Sequence, residues 1–388
     1  MRSPAPASGL RHGGANRRQA NEVIVGAWRQ LPHRAACRLV QSRQALGLRE
    51  VHMGAPAPAE QPLSAYQLSE QSLERMYSYM LLARRLNERM MLLNRQGTAP
   101  FVIAGAGQEA AQVGAAMALQ VGVDYLAPYY RDLAMNLVFG MTAREAMLNL
   151  FAKRDDPNSH GRQMPSHWGL RERHVVTQSS VVATQLLHAT GIALAAKMRQ
   201  DPVVVMACCG EGSTSRGDFH EALNFAAIHH LPVIFFVENN GYAISERVEK
   251  EVPTEHVADR ARGYGIEGAT VDGMDAVVVY QTVRQAVDQA RRGRGPFLIE
   301  AKCYRLWAHS SDDDDSRYRP REELAEWAAR DPIKLFRERV QNDGIFPAED
   351  LDRIEAQIDE EVRDAAQWAM AQPDPEPADA LGFVYKES

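Results

Sequence analysis

The sequence predicts an α/β protein with a doubly wound, mostly parallel sheet and helices on both faces. Three runs of apolar residues predict strands that are buried on both sides: "PVVVMACC" (202–209), "PVIFFVEN" (232–239) and "PFLIEAKC" (296–303). A strand with one exposed face would instead alternate apolar and polar residues. Segments with helical periodicity separate the runs, and this alternation is typical of parallel sheets with crossover connections.

The elements before and after these strands are predicted to be helical. A helical entry over 64–97 contains a long amphipathic helix, which Ser69 begins as its cap and Gly97 ends. A second helix covers "GQEAAQVGAAMAL" (107–119), and the α/β core extends over about 98–308. A charged loop over 309–320 leads into a helical tail over 321–388, whose charged helices we expect on the outside. We therefore predict a single domain over 53–388.

The first 52 residues are rich in Arg and Ala, and Glu22 and Glu50 are their only acids. This composition is typical of a transit peptide, which would place the protein in the mitochondrial matrix. The alternative is a translation start placed too early, with Met53 as the true start and a cytoplasmic, bacterial protein. We favour the second interpretation, because the segment has neither an apolar central region nor a clean cleavage signal.

Composition excludes several classes of protein. The formal net charge of −6 leaves no basic excess for binding nucleic acid or an anionic membrane. No run of about 18 apolar residues occurs, so we expect no membrane span. The four cysteines, Cys37, Cys208, Cys209 and Cys303, have neither zinc-site spacing nor a disulfide pattern, which indicates a reducing compartment.

A glycine-rich turn, "GEGSTSRGD" (210–218), lies between the first of these strands and a helical segment. Such a turn usually binds a phosphate group. The carboxylate of Glu211 would repel phosphate oxygens unless a cation lay between them, and Mg²⁺ fits because it takes oxygen ligands from protein, phosphate and water. The literal GxGxxG match, "GYGIEG" (263–268), precedes a strand instead, so we interpret it as an ordinary turn.

A second polar turn ends the next strand and contains Asn240 and Tyr242. Because the carboxyl ends of adjacent parallel strands lie at one edge of a sheet, we expect Glu211 and Asn240 to face the same site. Asn240 offers an uncharged oxygen and Tyr242 its backbone carbonyl. Either turn alone also has an ordinary explanation, since Glu211 can cap a helix and Asn-Asn-Gly is a common turn.

Gly-Glu-Gly, a helix, and then Asn-Asn resemble the thiamine diphosphate motif. From about Pro62 to its end, the chain resembles α subunits of the thiamine diphosphate-dependent decarboxylase component of 2-oxoacid dehydrogenases. The similar segments are "PYYRD", "DPNSHGRQMPSHWG", "SSVVATQ", "GEGSTSRGDFHEALNFAA", "ENNGYAIS", "VDGMD" and "HSSDDDDSRYRP". Within that family, "RQMP", "NNGYAIS" and "HSSDDDDSRYR" look most like the branched-chain 2-oxoacid (2-oxoisovalerate) type.

The resemblance implies roles for individual residues of this sequence. The implied metal ligands are Glu211, Asn240 and the carbonyl of Tyr242. The implied cofactor-binding residues are Tyr129, Tyr130, Arg131, Ser180, Val181, Val182, Gly210, Glu211, Gly212, Ser213, Thr214, Ser215, Asn240, Tyr242, Ala243, Ile244 and His309. The implied substrate side comprises Phe101, Tyr130, Met164, Pro165, Ser166, His167 and Ser180. The implied catalytic residues are His309, Tyr130, Arg131, Ser180 and His167. These roles have ordinary structural alternatives. His167 and His309 can be surface histidines, and residues 310–319 can be a flexible charged loop.

The resemblance also implies an activity and partners. Together with a β subunit, in a heterotetramer of two α and two β chains, the protein would decarboxylate a small branched-chain 2-oxoacid with thiamine diphosphate and Mg²⁺. It would pass the acyl group to the lipoyl group of a dihydrolipoyl transacylase. We find no candidate for the acid that acts on the pyrimidine ring, and in the family the β subunit supplies it.

Two departures leave alternatives open. Glu238 stands where branched-chain relatives can have an Arg, which leaves pyruvate or acetoin as alternative substrates. Ser179, Thr184 and Gln185 match a potassium site of some relatives, although a Ser/Thr-rich turn is usually only a turn. A non-catalytic thiamine diphosphate-binding protein is the alternative from a different class, and the presence of His309 argues against it.

Overall fold

The computed structural model describes residues 62–66 and 68–382, so the predictions for residues 1–52 lie outside the described residues. Its central feature is a parallel five-stranded sheet with the strand order β1-β2-β3-β7-β6. The strands are β1 (Tyr125–Ala127), β2 (Val205–Gly210), β3 (Val233–Asn239), β6 (Glu267–Asp272) and β7 (Phe297–Lys302), and β4 (Tyr242–Ala243) and β5 (Glu246–Arg247) form a small antiparallel pair. The predicted parallel sheet is confirmed.

Side chains of the central strands are buried on both faces. Every residue of β3 is buried, and β2 is buried from Val205 to Cys209. Alternate residues belong to two apolar clusters: Met206, Cys208, Ile234 and Phe236 contribute to one, and Val205, Ala207, Cys209, Val233, Phe235 and Val237 to the other. The continuous apolar runs therefore reflect helices that cover both faces.

The helices divide between the two faces. One cluster includes residues of α1, α2 and α9, and the other includes residues of α5 and α6. The helices are α1 (Glu70–Arg95), α2 (Glu109–Met117), α3 (Leu133–Val138), α4 (Ala143–Leu150), α5 (Thr184–Arg199), α6 (Gly217–Ile228), α7 (Val248–Glu251), α8 (Ala261–Tyr264), α9 (Ala276–Gln289), α10 (Arg321–Ala329), α11 (Pro332–Asn342) and α12 (Ala348–Met370). Short 3-10 helices occur at Leu63–Tyr66, Arg171–Arg173, Glu211–Ser215, Val257–Arg260, Asp315–Arg317 and Pro377–Leu381, and a π turn at Ala290–Arg294.

The long entry helix has the predicted termini. Ser69 caps α1 by accepting a hydrogen bond from the Ser72 amide at 3.1 Å. The helix ends at Arg95, and Gly97 follows with a φ of +73°, the left-handed conformation that glycine adopts most readily. The apolar stripe faces the core, with Leu73, Met76, Tyr77, Met80, Leu81 and Met90 all buried.

The C-terminal helices are less external than their charge suggests. α12 packs against α1 and α4 and buries seven residues: Leu351, Ile354, Ile358, Val362, Ala365, Ala366 and Ala369. The expectation of external charged helices agrees with α10, which has no buried residue, whereas α12 lies on the outside with one apolar face against the core. A stripe at spacings of three and four places these residues together, and the charged residues occupy the remaining surface. No helix in the described part of the chain has the length and apolar character needed to cross a bilayer.

Candidate active site

The carboxyl ends of β2 and β3 lie side by side. Gly210 at the end of β2 is paired with Glu238 on β3, so the turns that follow the two strands start at the same edge of the sheet. Asn240, one residue after β3, donates its backbone amide to Oε2 of Glu211 at 3.1 Å. The predicted meeting of Glu211 and Asn240 is therefore confirmed.

The glycine-rich turn forms a 3-10 helix, Glu211–Ser215, directly before α6. Oγ1 of Thr214 donates to the carbonyl of Glu211 at 2.6 Å, and the Arg260 guanidinium donates to the carbonyl of Thr214. A Cβ on Gly212 would lie 2.6 Å from Cβ of Ala243, so only glycine permits this approach. The turn directly precedes the N-terminus of α6, the end of a helix that favours an anion.

Glu211, Asn240 and Tyr242 provide three kinds of oxygen in one buried place. Their exposed fractions are 1%, 4% and 2%, respectively. Oδ1 of Asn240 accepts the Tyr242 amide at 3.3 Å. Burial raises the pKa of the Glu211 carboxyl to about 7, although the Asn240 amide and the cations Arg305 and Arg131 oppose this shift. A carboxylate, an amide oxygen and a backbone carbonyl form a donor set that suits Mg²⁺.

Two buried arginines converge on His309. Nη2 of Arg131 and Nη1 of Arg305 each lie 3.3 Å from Nδ1 of His309. Because a guanidinium group only donates, Nδ1 accepts, and the proton of the neutral ring is on Nε2. Burial and the charges of Arg131 and Arg305 lower the pKa of His309 to about 4. The ring is therefore neutral at pH 7 and presents an N–H donor.

Neither arginine is neutralised by an ion pair within the described residues. Arg131 donates to the carbonyls of Ala104 at 2.6 Å and His309 at 3.2 Å. Arg305 donates to the carbonyl of Ile244 at 2.7 Å and weakly to that of Tyr242 at 3.4 Å. The Nε atoms of both arginines are buried and have no acceptor in this part of the chain. Two buried cations that form no ion pair with a described carboxylate, near Glu211 of the glycine-rich turn, fit a diphosphate.

The loop over 309–320 is ordered by its own side chains. The His309 amide donates to Oδ2 of Asp313 at 2.8 Å, and the Tyr318 hydroxyl donates to the same carboxylate. Arg305 donates to that hydroxyl at 3.0 Å, and Arg319 donates to the carbonyl of Arg305. The acidic residues of the loop accept hydrogen bonds within it, which favours an ordered loop over the alternative of a flexible charged one.

Aromatic residues line the other side of His309. The ring of Tyr130 meets His309 edge-on with centroids 6.2 Å apart, and the Arg131 guanidinium carbon lies 5.5 Å from the Tyr130 ring centre. Phe101 is half-buried and precedes Val102. The Val102 amide donates to Oγ of Ser311 in the loop, and the Val102 carbonyl accepts from the Ser311 amide. The structure thus brings Tyr130, Arg131 and His309 together, and it joins the segment that contains Phe101 to the loop that begins at His309.

His167 and Ser180, which are also predicted site residues, form a second group. Nε2 of His167 and Oγ of Ser180 hydrogen-bond each other, and Nδ1 of His167 lies 3.2 Å from the carbonyl of Pro165. Among the described residues, no hydrogen bond joins this pair to the Arg131–His309 group. Three predicted side chains are largely exposed: Met164 by 52%, Val181 by 58% and Ile244 by 59%. Ser166 is held by its amide on Oδ1 of Asn149 at 2.8 Å.

Several residues of the site carry no recognisable signal in the sequence. Arg305 and Gln108 belong to none of the motifs, although both contact predicted site residues. Glu238 is fully buried, and its Oε2 accepts Nε2 of Gln112 at 2.9 Å. Burial and the neighbouring Glu238 raise the pKa of Asp132 well above its usual range. Glu238 thus bonds to neighbouring side chains where an Arg would have offered a cation.

A parallel sheet with an anion-binding turn at the ends of its central strands is characteristic of α/β enzymes that bind phosphorylated cofactors. Comparison with known families identifies one family within this class of enzymes. The chain belongs to the dehydrogenase E1 component family, whose profile matches residues 77–378. The resemblance predicted from the motifs is confirmed, and membership of this family implies thiamine diphosphate as the cofactor.

Curated relatives are similar over most of the chain. The chain is 51% identical to the 2-oxoisovalerate dehydrogenase subunit alpha of Bacillus subtilis over 318 residues, which cover 82% of this chain and 96% of that protein. It is 38% identical to the 3-methyl-2-oxobutanoate dehydrogenase subunit alpha of Mycobacterium tuberculosis, with 77% and 79% of the two chains covered. It is also 37% identical to the pyruvate dehydrogenase E1 component subunit alpha of Staphylococcus aureus, with the same coverage.

Proposed function

We propose that this chain is the α subunit of a 2-oxoacid dehydrogenase that acts on branched-chain 2-oxoacids such as 3-methyl-2-oxobutanoate. The identity of 51% to a 2-oxoisovalerate dehydrogenase subunit, over nearly all of that protein, supports this substrate class. Pyruvate is the second candidate, because a pyruvate dehydrogenase subunit is 37% identical, close to the 38% of a branched-chain relative. Acetoin, and a purely binding role, have no observation in their favour.

The proposed cofactor position is the polar cleft at the ends of β2 and β3. Arg131, Arg305 and the amides of Gly212 to Ser215 would hold the diphosphate. Mg²⁺ would be bound by Glu211, Oδ1 of Asn240 and the carbonyl of Tyr242, with phosphate and water completing its octahedral shell. The single observation that carries this placement is the pair of buried arginines, because both point at one place and neither has a carboxylate partner in the described residues.

Thiamine diphosphate, when bound, supplies the electron sink for loss of CO₂. The residues of this chain bind the cofactor and orient the groups that react. Arg131 and Arg305 hold the neutral form of His309 with its proton on Nε2, which makes the ring a donor toward a developing oxyanion. Tyr130 packs edge-on against His309, and Phe101 is proposed to lie on the substrate side. His167 and Ser180 are proposed to contact the substrate, in keeping with their mutual hydrogen bond.

The family contains α subunits that are named as such in the relatives, which supports a site completed by another chain. We propose a β subunit as that chain, in a heterotetramer of two α and two β subunits, and a lipoyl-bearing dihydrolipoyl transacylase as acyl acceptor. We further propose that the assembly is cytoplasmic and bacterial.

A potassium ion at Ser179, Thr184 and Gln185 stays a prediction. The Thr184 hydroxyl donates to Oδ2 of Asp218 at 3.3 Å, and the Gln185 amide nitrogen donates to the carbonyl of Cys208 at 2.7 Å. Both side chains keep an oxygen lone pair for a cation.

The proposal is tested on the chain co-expressed with its β partner, with thiamine diphosphate, Mg²⁺ and a dye acceptor. We expect kcat/KM to be highest for 3-methyl-2-oxobutanoate or 4-methyl-2-oxopentanoate and lower for pyruvate. A preference for pyruvate would transfer the chain to the second candidate. Turnover of none of the three would refute the enzyme assignment.

The metal ligands are tested by calorimetry of cofactor binding to the same assembly. Glu211→Ala and Asn240→Ala should each weaken Mg²⁺-dependent binding of thiamine diphosphate at least tenfold, about 1.4 kcal/mol, because each removes an oxygen ligand. Glu338→Ala and Asn342→Ala, exposed residues of α11 with the same chemical changes, serve as controls. Unchanged binding in Glu211→Ala and Asn240→Ala would remove the metal assignment.

A further inference from the structure

The side chain of Gln108 lies at the centre of the candidate site and is fully buried. Its Oε1 accepts Nδ2 of Asn240 at 3.4 Å and the Tyr129 hydroxyl at 3.2 Å. Its own Nε2 has no acceptor among the described residues, although a buried donor without a partner is costly. The amide therefore retains hydrogen-bonding capacity that the described protein does not use.

The backbone holds Gln108 in place. Gly107 has a φ of +92°, and a Cβ there would lie 2.1 Å from the carbonyl oxygen of Tyr304. The Gly107 amide donates to Oε2 of Glu109 at 2.8 Å, and Glu109 forms an ion pair with Arg84 at 2.6 Å. Gln108 lies between these two fixed residues, directly before α2.

The oxygen and the nitrogen of the Asn240 side-chain amide have different hydrogen-bond partners. Nδ2 has one acceptor in the described part of the chain, Oε1 of Gln108, and Oδ1 accepts the Tyr242 amide. If the amide were rotated by half a turn, its NH₂ group would replace the oxygen. An NH₂ group cannot ligate Mg²⁺, which takes oxygen ligands. The acceptor that holds Nδ2, together with the Tyr242 amide that donates to Oδ1, thus determines whether Asn240 offers an oxygen.

We propose that Gln108 is a positioning residue that fixes the orientation of the Asn240 amide and so keeps Oδ1 available to the metal ion. This inference rests on the proposed function, since it concerns the proposed Mg²⁺ site. Gln108 acts through Asn240 and is no ligand itself. Oε1 of Gln108 also accepts the Tyr129 hydroxyl, which links the turn that contains Asn240 to the segment that contains Arg131.

The first test is Gln108→Leu in the co-expressed assembly, with the Mg²⁺ concentration for half-maximal thiamine diphosphate binding measured by calorimetry. We expect that concentration to rise about fivefold, as for the loss of one buried hydrogen bond. Gln108→Glu keeps an acceptor for Nδ2 and should stay at or below the wild-type concentration. It also keeps the test decisive if the leucine variant fails to fold. An equal loss in both variants, or none in the leucine variant, overturns the proposal.

The second test asks whether Gln108 acts through Asn240. In an Asn240→Ala background, Gln108→Leu should add no further change in Mg²⁺ dependence, because the amide that it orients is gone. Gln112→Leu is the matched control, since Gln112 is a buried glutamine one turn along α2 that bonds Glu238 and not Asn240. Its effect should be the same in both backgrounds. Additive effects of Gln108→Leu, or non-additive effects of Gln112→Leu, refute specific coupling.

The outcomes for Glu211→Ala separate this inference from the proposed function. If Glu211→Ala abolishes Mg²⁺ dependence and Gln108→Leu leaves it unchanged, the role of Gln108 is refuted while the metal site stands. If Glu211→Ala leaves Mg²⁺ dependence unchanged as well, the metal site itself is refuted.

Discussion

Gly107 and Gly97 form a matched pair that tests how tightly the turn before α2 is built into the site. Both have a positive φ, +92° and +73°, so alanine is strained at either position. A Cβ at Gly97 meets nothing within 4 Å, whereas one at Gly107 would lie 2.1 Å from the carbonyl oxygen of Tyr304 and 2.8 Å from Cγ of Leu306. The two substitutions therefore differ in crowding and share their backbone strain.

The expected magnitudes follow from these two contributions. A left-handed alanine costs about 1–2 kcal/mol at either position. Overpacking at Gly107 adds about 1–3 kcal/mol, since neither the Tyr304 carbonyl nor Leu306 can move without disturbing the buried cluster that they share with Ala106 and Tyr242. The gain from a stiffer unfolded chain is the same for both variants and cancels in the comparison. Gly107→Ala should thus be about 1–3 kcal/mol less stable than Gly97→Ala.

The assay is thermal unfolding of the co-expressed assembly by calorimetry. At about 2 °C per kcal/mol for a chain of this size, Gly107→Ala should unfold about 2–6 °C below Gly97→Ala. Because Gly107 precedes Gln108, it should also weaken Mg²⁺-dependent cofactor binding, and Gly97→Ala should not. Equal unfolding midpoints for the two variants would show that the turn adjusts to the added Cβ without cost, and this would refute the argument from close packing.

Two further predictions concern the residues around His309. Arg305→Lys keeps the charge but loses the planar guanidinium group that donates to the Ile244 carbonyl and the Tyr318 hydroxyl. Limited proteolysis should therefore cleave residues 309–320 faster in Arg305→Lys than in Arg330→Lys, a control at an exposed arginine. Equal cleavage rates would contradict the role of Arg305. For His309, the folded pKa of about 4 lies below the usual 6.5, so the unfolded chain binds more protons between these pH values and stability falls as pH falls through that window. His309→Gln should lose stability less steeply from pH 6.5 to 4 in denaturant unfolding, and an unchanged slope would refute the depressed pKa.

The sequence predicts the sheet well because its evidence is local. Strands β2, β3 and β7 are continuous apolar runs, and the turns after β2 and β3 contain the polar residues that mark a binding edge. The meeting of Glu211 with Asn240 follows from parallel topology alone. The short strand β1 (Tyr125–Ala127) has too few residues to show a pattern in the sequence.

The site is predicted only where a motif marks it. Arg305 and Gln108 lie in ordinary segments, and their importance depends on distances to residues far away in the chain. Gln108 and Asn240 are separated by 132 positions, and no local pattern indicates that their amides face each other. Likewise, Asp132 and Glu238 lie far apart in the sequence, and only the fold buries them beside each other, where burial raises the pKa of both carboxyls.

Arg131 and Arg305 connect anion binding to the state of His309. Their charges help to lower the pKa of His309, and their N–H groups fix its tautomer. An anion that neutralised these charges would weaken the repulsion of a second proton, so the pKa of His309 would rise toward its usual value. The fixed tautomer persists as long as either guanidinium donates to Nδ1. The same two arginines therefore attract the anion and hold Nε2–H of His309 as the donor.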